Sequence, residues 1–128
     1  MVQGTRREGS TVALKKMVQR LTRPVEEQDR EKLVEFCDAL DVTHCDEIEP
    51  RVHTRVAGEV SSVRVVPRAG SPTLEVTVTD GRGSVVGVFF GRRKLGGLTP
   101  GRRLVLEGVV APTGKRLYIY NPVYEFLS

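Results

Sequence analysis

Ten arginines and two lysines lie among residues 51–128 against five carboxylates, a net charge of +7, and such a set can hold polyanions. Neutralising phosphates releases condensed counterions, which gives affinity without regard to sequence. The informative positions lie at or beside turns: Arg64 and Arg68, Arg82, the run Arg92-Arg93-Lys94, and Lys115-Arg116. Taken singly, each of these reads better as a solvated rim residue. Taken together, their placement favours a surface for phosphates. Aromatics are scarce, with four Phe, three Tyr and no Trp, so each one carries information. Phe89 and Tyr118 are the candidates for flat platforms on which unstacked bases can lie. Phe89 shares a face with the side-chain-free Gly87, which would leave room for a base. The same apolar strand could instead be buried on both sides, with the helices over Phe89, and the residues leave both readings open. Tyr118 and Tyr120 also share a face, but Tyr120 directly precedes Asn121-Pro122 and reads as a structural tyrosine with a satisfied hydroxyl.

Other chemistries lack their residues. Cys37, His44, Cys45 and His53 suggest a metal, but no C-x2-C pair is present, and Cys37 sits on an apolar stripe with Leu33 and Phe36. Gly114-Lys115-Arg116 resembles a fragment of a phosphate loop without its leading glycine or its following Ser/Thr. It also joins two strand-like runs, whereas that motif opens a helix. Gly81, Gly83 and Gly87 miss the dinucleotide spacing, and no Ser-His-acid or Cys-His arrangement is readable. The acidic residues gather on one helix, where a solvated face explains them. The expectation is a protein without catalysis, metal or cofactor.

The elements that would position these residues change character along the chain. Leu14, Met17, Val18 and Leu21 mark one short amphipathic helix after Ser10 and Thr11. Leu33, Phe36, Cys37 and Leu40 mark a second that starts at Pro24, with Glu26 and Glu27 at its positive end. Both stripes must be buried, most simply against each other and one side of the C-terminal strands. Asp41 to Pro50 has poor periodicity and reads as a linker. From Arg51 the period becomes two. A long first strand contains Gly58 and a phase shift at Ser61-Ser62, the mark of a bulge. Pro67 to Pro72 reads as a loop by composition, and Asp80-Gly81 is a hairpin signal between the second and third strands. Gly91 to Pro100 is a Gly-rich connector with room for at most a helical turn. A fourth strand runs from about Arg102 to Val110 and a fifth from about Arg116 to Phe126. The fold expected is mainly β with N-terminal helices: residues 1–50 form a helical segment and linker, and residues 51–128 a five-stranded OB-fold barrel. An SH3-like barrel is the structural rival.

The charge is uneven elsewhere too, at −8 for residues 24–50 and +5 for residues 1–23. The opening residues lack the continuous apolar core and small-residue cleavage site of a secretory signal, and no run approaches the ~18 apolar residues that span a membrane. A cytoplasmic protein with free thiols at Cys37 and Cys45 and no membrane partner is the expectation.

The runs Val56-Ala57-Gly58-Glu59-Val60, Thr79-Asp80-Gly81, Phe89-Phe90-Gly91-Arg92-Arg93 and Ile119-Tyr120-Asn121-Pro122-Val123-Tyr124-Glu125, with Gly101 and Gly108 between them, carry a resemblance. In that order they resemble the short actinobacterial proteins described as OB-fold nucleic-acid-binding-domain proteins. More distantly the chain is similar to anticodon-binding-type OB domains and to the wedge domain of RecG-type helicases, which ends in a similar Asn-Pro-x-Tyr-Glu segment. The resemblance covers about residues 45 to 127. Relatives often carry Trp where this chain has Phe89, so the stacking surface here is smaller. The resemblance implies a fold and a general binding role and leaves the ligand open, because OB domains also bind proteins and sugars. With the arginine set, the expected partner is single-stranded DNA or RNA, held with little sequence preference. The alternative is an interaction adaptor that uses the barrel and the acidic second helix to bind a protein of nucleic-acid metabolism. The edge of a small barrel, or the N-terminal helices, could also pair two chains.

Overall fold

A computed structural model of the chain describes residues 25–127. The helix expected at residues 11–21 lies outside them. In order come one helix, α1 (Val25–Asp38), a 3-10 turn (Cys45–Glu47) and six strands. The strands are β1 (His53–Arg68), β2 (Ser71–Thr79), β3 (Ser84–Phe90), β4 (Arg103–Thr113), β5 (Arg116–Tyr120) and β6 (Val123–Phe126). From Glu31 onward the chain is one compact unit. No helix of the described residues is long and apolar enough to cross a membrane.

The sheet order is β1-β2-β3-β5-β4-β6, and β1 also pairs with β4, so five of the strands close into a ring. The β3–β5 pairing is parallel and the others are antiparallel. That ring is the Greek-key barrel of the OB-fold. Closure requires β1 to serve two neighbours. Residues from His53 to Glu59 pair with β4, residues from Glu59 onward pair with β2, and Glu59 faces both Arg103 and Thr79. A Cβ on Gly58 would lie 2.4 Å from the Thr79 carbonyl oxygen, so only glycine fits where the strands cross over. Just beyond, the register slips between Val60 and Ser62 and leaves Ser61 as the extra residue of a bulge. Both devices curl the strand, as its sequence predicts.

Inward valines and leucines such as Val56, Val76, Leu104 and Leu106 fill the ring, joined by Cys45 of the 3-10 turn and Leu98 of the β3–β4 connector. Fully burying one such side chain contributes ~1.5–3 kcal/mol. The α1 stripe packs on the outside instead. Leu33 and Cys37, with Phe36 and Leu40 beside them, cover Ala57 of β1 and Val105 of β4. The Arg103 guanidinium lies over the Phe36 ring at 4.4 Å, and Arg82 grips the Asp38 carboxylate at the end of α1 through both of its terminal nitrogens.

Two expectations about strands are corrected. The fifth strand is broken at Asn121, whose φ of +48° is left-handed, and at Pro122; β6 then crosses to pair with β4. Asn tolerates that conformation and proline has no N–H to donate, so together they end one strand and start another. Pro67 to Pro72 is no loop. β1 and β2 stay paired out to Arg68 and Ser71, joined by the two-residue turn Ala69-Gly70 with φ of +50° and +80°. Prolines are tolerated at such ribbon ends, which is why composition misleads there.

Candidate nucleic-acid interface

Outward residues of β1, β2, β3 and β5 fall into rows set by the register. Arg64, Glu75, Val88 and Tyr120 form one row across the four strands. Val66, Thr73 and Phe90 form the next row on one side, and Ser62, Thr77, Val86 and Tyr118 the next on the other. No described element covers this face.

The aromatic groups converge here. Phe90 and Tyr120 stay 47% and 39% exposed, and their rings stack with centroids 5.7 Å apart and planes 14° apart. Tyr118 meets Tyr120 edge-on at 6.0 Å. Phe89 does not belong to this group. It points into the barrel opposite Leu74, is 6% exposed, and meets Tyr124 edge-on. The expectation of an exposed Phe89 platform is therefore corrected: strand parity gives that place to Phe90. The structural reading of Tyr120 is corrected with it. Asn121 fixes the pair in position. Its backbone N–H donates to the Val88 carbonyl at 2.6 Å, and its Oδ1 accepts the Phe90 N–H at 3.1 Å, which extends the β3–β5 ladder past Tyr120.

The cations divide into two groups. Arg92, Arg93, Lys94, Lys115 and Arg116 are exposed, with no acidic partner among the described residues. Arg92 borders a cavity of about 290 Å³ lined also by Phe90, Asn121 and Tyr124. Lys115 and Arg116 border another of about 340 Å³ at the far end of β3, beside Ser84 and Val86. Arg64, Arg68 and Arg82 are instead engaged. Arg82 faces α1. Arg64 and Arg68 reach the Glu75 carboxylate at 3.4 and 2.6 Å. Glu75 is only 6% exposed; burial pushes its pKa up, but the hydrogen bonds from Arg68 and Arg64 outweigh that and hold it below the usual carboxylate range. Two buried polar atoms of the same surface, Arg68 Nε and Thr73 Oγ1, have no hydrogen-bond partner.

Both thiols are free, buried and held protonated at neutral pH. Burial, reinforced by Asp80, pushes Cys37 up to about 11, and burial and Asp80 push Cys45 up further. Asp80 is itself occupied, accepting N–H groups from Cys45, Arg82 and Gly83. The four residues suspected of metal binding do not come together. His53 pairs with Glu107 at 2.8 Å, and His44 lies near Asp46 and Glu47 in an exposed group without either cysteine.

Sequence reasoning missed Phe90, Tyr120 and Glu75. A signal for Phe90 was present. The alternation of Leu74, Val76 and Val78 fixes which side of β2 is inward, and the hairpin places Val78 opposite Val85, so Val85, Gly87 and Phe89 must be inward.

Comparisons with known proteins agree with this geometry. A family model described as an OB-fold nucleic acid binding domain matches residues 54–127. Among solved structures, RecG bound to a three-way DNA junction is similar, with 16% identity and a TM-score of 0.55. The match covers 66% of this chain and 12% of that one, and shows the fold alone. A search of curated proteins finds no match.

Proposed function

The chain belongs to the family of OB-fold nucleic acid binding domains, and from that premise we propose that it binds single-stranded DNA or RNA without catalysing a reaction on it. One observation carries the reading: two exposed aromatic rings stack on a face that no described element covers, between two groups of cations with no acidic partner among the described residues. Stacked bases need such planes, and every base has a π face, so the contact tolerates many sequences. Arg92, Arg93 and Lys94 at one end of β3, and Lys115 and Arg116 at the other, hold the phosphates that lead to and from the platform. Phe90 and Tyr120 stack the bases, with Tyr118 extending the surface. A duplex, whose bases are already stacked on each other, gains only the phosphate contacts.

Fluorescence anisotropy with labelled single-stranded DNA, single-stranded RNA and duplex, at two salt concentrations, tests this. Single strands are expected to bind more tightly than duplex and to weaken steeply as salt rises. The absence of binding to any of them at low salt would end the nucleic-acid reading and leave a protein adaptor in its place.

A further inference from the structure

The cavity beside Arg92 exists because β5 leaves β3 early. Their parallel pairing ends at Val88 and Tyr120, two residues short of the end of β3. Asn121 and Pro122 then turn the chain away to β6, so Phe89 and Phe90 pair with no strand on that side. We propose that the resulting cavity is a nucleobase pocket, entered by the base next to those on the platform, in which the Asn121 amide NH2 donates to a keto oxygen at position 4 of a pyrimidine. This rests on the single-strand reading and adds to it a preference at one base position.

The polar groups fix what the pocket can accept. The left-handed backbone of Asn121 explains an Asn there, but not the use of its side chain. Its Oδ1 is committed to the Phe90 N–H. That N–H must meet the amide's oxygen, so the nitrogen is the free end, and no described residue accepts from it. Asn121 is exposed and lines the cavity, which puts that NH2 within a ligand's reach. Arg92, also exposed, is the cation of the cavity. An amide NH2 and a guanidinium only donate, so the occupant must bring acceptors. Phe90 and Tyr124 add aromatic walls, and Leu95 and the buried Pro122 add apolar ones. Such walls suit a flat ring and not a phosphate, which would have to leave water for apolar surface.

A nucleobase is a flat ring with acceptors on its edge. Phe90 belongs both to the cavity and to the stacked pair with Tyr120, so platform and pocket are contiguous. With sugar and phosphate left outside, near Arg92, a base enters by the side opposite its glycosidic bond. In a pyrimidine that side is position 4, across the ring from N1. Uracil and thymine carry an oxygen there, and cytosine carries an amino group. Facing the Asn121 NH2, the oxygen accepts a hydrogen bond, whereas the amino group sets two donors against each other.

Homo-oligomers of deoxyuridine and deoxycytidine are the probes, since they share sugar, ring size and O2 and differ at position 4 and in the N3 proton. In fluorescence anisotropy the wild-type protein is expected to favour deoxyuridine by about tenfold, the effect of a donor left without an acceptor. Asn121→Asp is nearly isosteric. It tolerates the left-handed backbone and keeps an oxygen for the Phe90 N–H, but puts an acceptor where the NH2 was. Its added negative charge weakens both oligomers, so the ratio is the readout. That ratio should fall to one or below, because a carboxylate accepts from the 4-amino group. An Asn121 that only shapes the chain predicts an unchanged ratio. Should Asn121→Asp not fold, NMR on the wild type decides: the Asn121 side-chain NH2 resonances should shift with oligo-deoxyuridine and much less with oligo-deoxycytidine. The proposal is overturned if the wild type binds both oligomers equally, if Asn121→Asp keeps the ratio, or if those resonances stay in place with oligo-deoxyuridine. Equal binding would leave the single-strand reading standing. A protein that binds neither oligomer at low salt would sink that reading itself, and this inference with it.

Discussion

The barrel has two outward faces built from the same alternating strands, and they are sealed by opposite means. Where β1 and β4 point Ala57 and Val105 outward, the side chains are short, and α1 lies across them with Leu33 and Cys37. Where β1, β2, β3 and β5 point Arg64, Arg68, Glu75, Phe90 and Tyr120 outward, the side chains are long and lie against one another. Val88 and Thr73 on that second face are as inaccessible as core residues, although no described element lies over them. Small residues invite a helix. Large polar and aromatic ones make a floor of their own and leave it available. The difference supports the proposed binding face without reference to charge, because side chains already held against one another lose little freedom when a ligand settles on them.

The sharpest test of this division is a neighbouring pair. Phe89→Ala empties the interior and should cost ~3–5 kcal/mol in urea unfolding, while Leu33→Ala on the helix-covered face should cost ~2–5 kcal/mol. Phe90→Ala should cost much less stability, being half exposed; equal losses for Phe89 and Phe90 would break the inside–outside assignment. In binding the order reverses. Phe90→Ala should weaken single strands by ~1–3 kcal/mol and duplex far less, and Leu33→Ala should leave the affinity of the folded fraction alone. The charges follow the same line. Replacing Lys115 and Arg116 with alanine should flatten the salt dependence of single-strand affinity by about 0.7 for each phosphate no longer held, whereas Arg82→Ala, whose partner is Asp38, should not change it. The smallest effect belongs to the helix side and reads out with pH. The Cys37 thiol is raised from 9.0 to about 11 by burial, so above pH 9 the unfolded chain loses this proton before the folded one does. Stability should therefore fall as pH rises from 9 towards 11, and a Cys37→Ala variant should lose part of that slope in thermal melts.

Sequence patterns carried the fold further than the site. The i, i+3, i+4, i+7 stripe of Leu33, Phe36, Cys37 and Leu40 gives the second helix and its buried side. Gly58, the Ser61 phase shift and Asp80-Gly81 give the bend and the hairpin. The site was harder because β3 is buried on both faces except at its ends, so its own composition cannot say which phenylalanine points in. Only pairing with β2 decides it. Glu75 is outward by alternation, yet its burial comes from Arg68 reaching back from the end of a ribbon that composition reads as a loop. Arginines near turns look alike in sequence. Their partners separate them: Asp38 for Arg82 lies 44 residues away, and Glu75 takes Arg64 and Arg68. Long-range contacts of that kind leave no local trace.

The double duty of β1 has a consequence in time. Its outer half pairs with β2 through a two-residue turn, a contact between close neighbours in sequence that can form as soon as both have left the ribosome. Its inner half must wait for β4, since Val56 meets Leu106 and Ala57 meets Val105, some fifty residues further along the chain. Until then one strand is half paired, with Gly58 as the hinge between an early hairpin and a late closure. Ring closure is thus expected to be the slow event of folding, and single-strand binding should recover with it and not with the earlier formation of the ribbon.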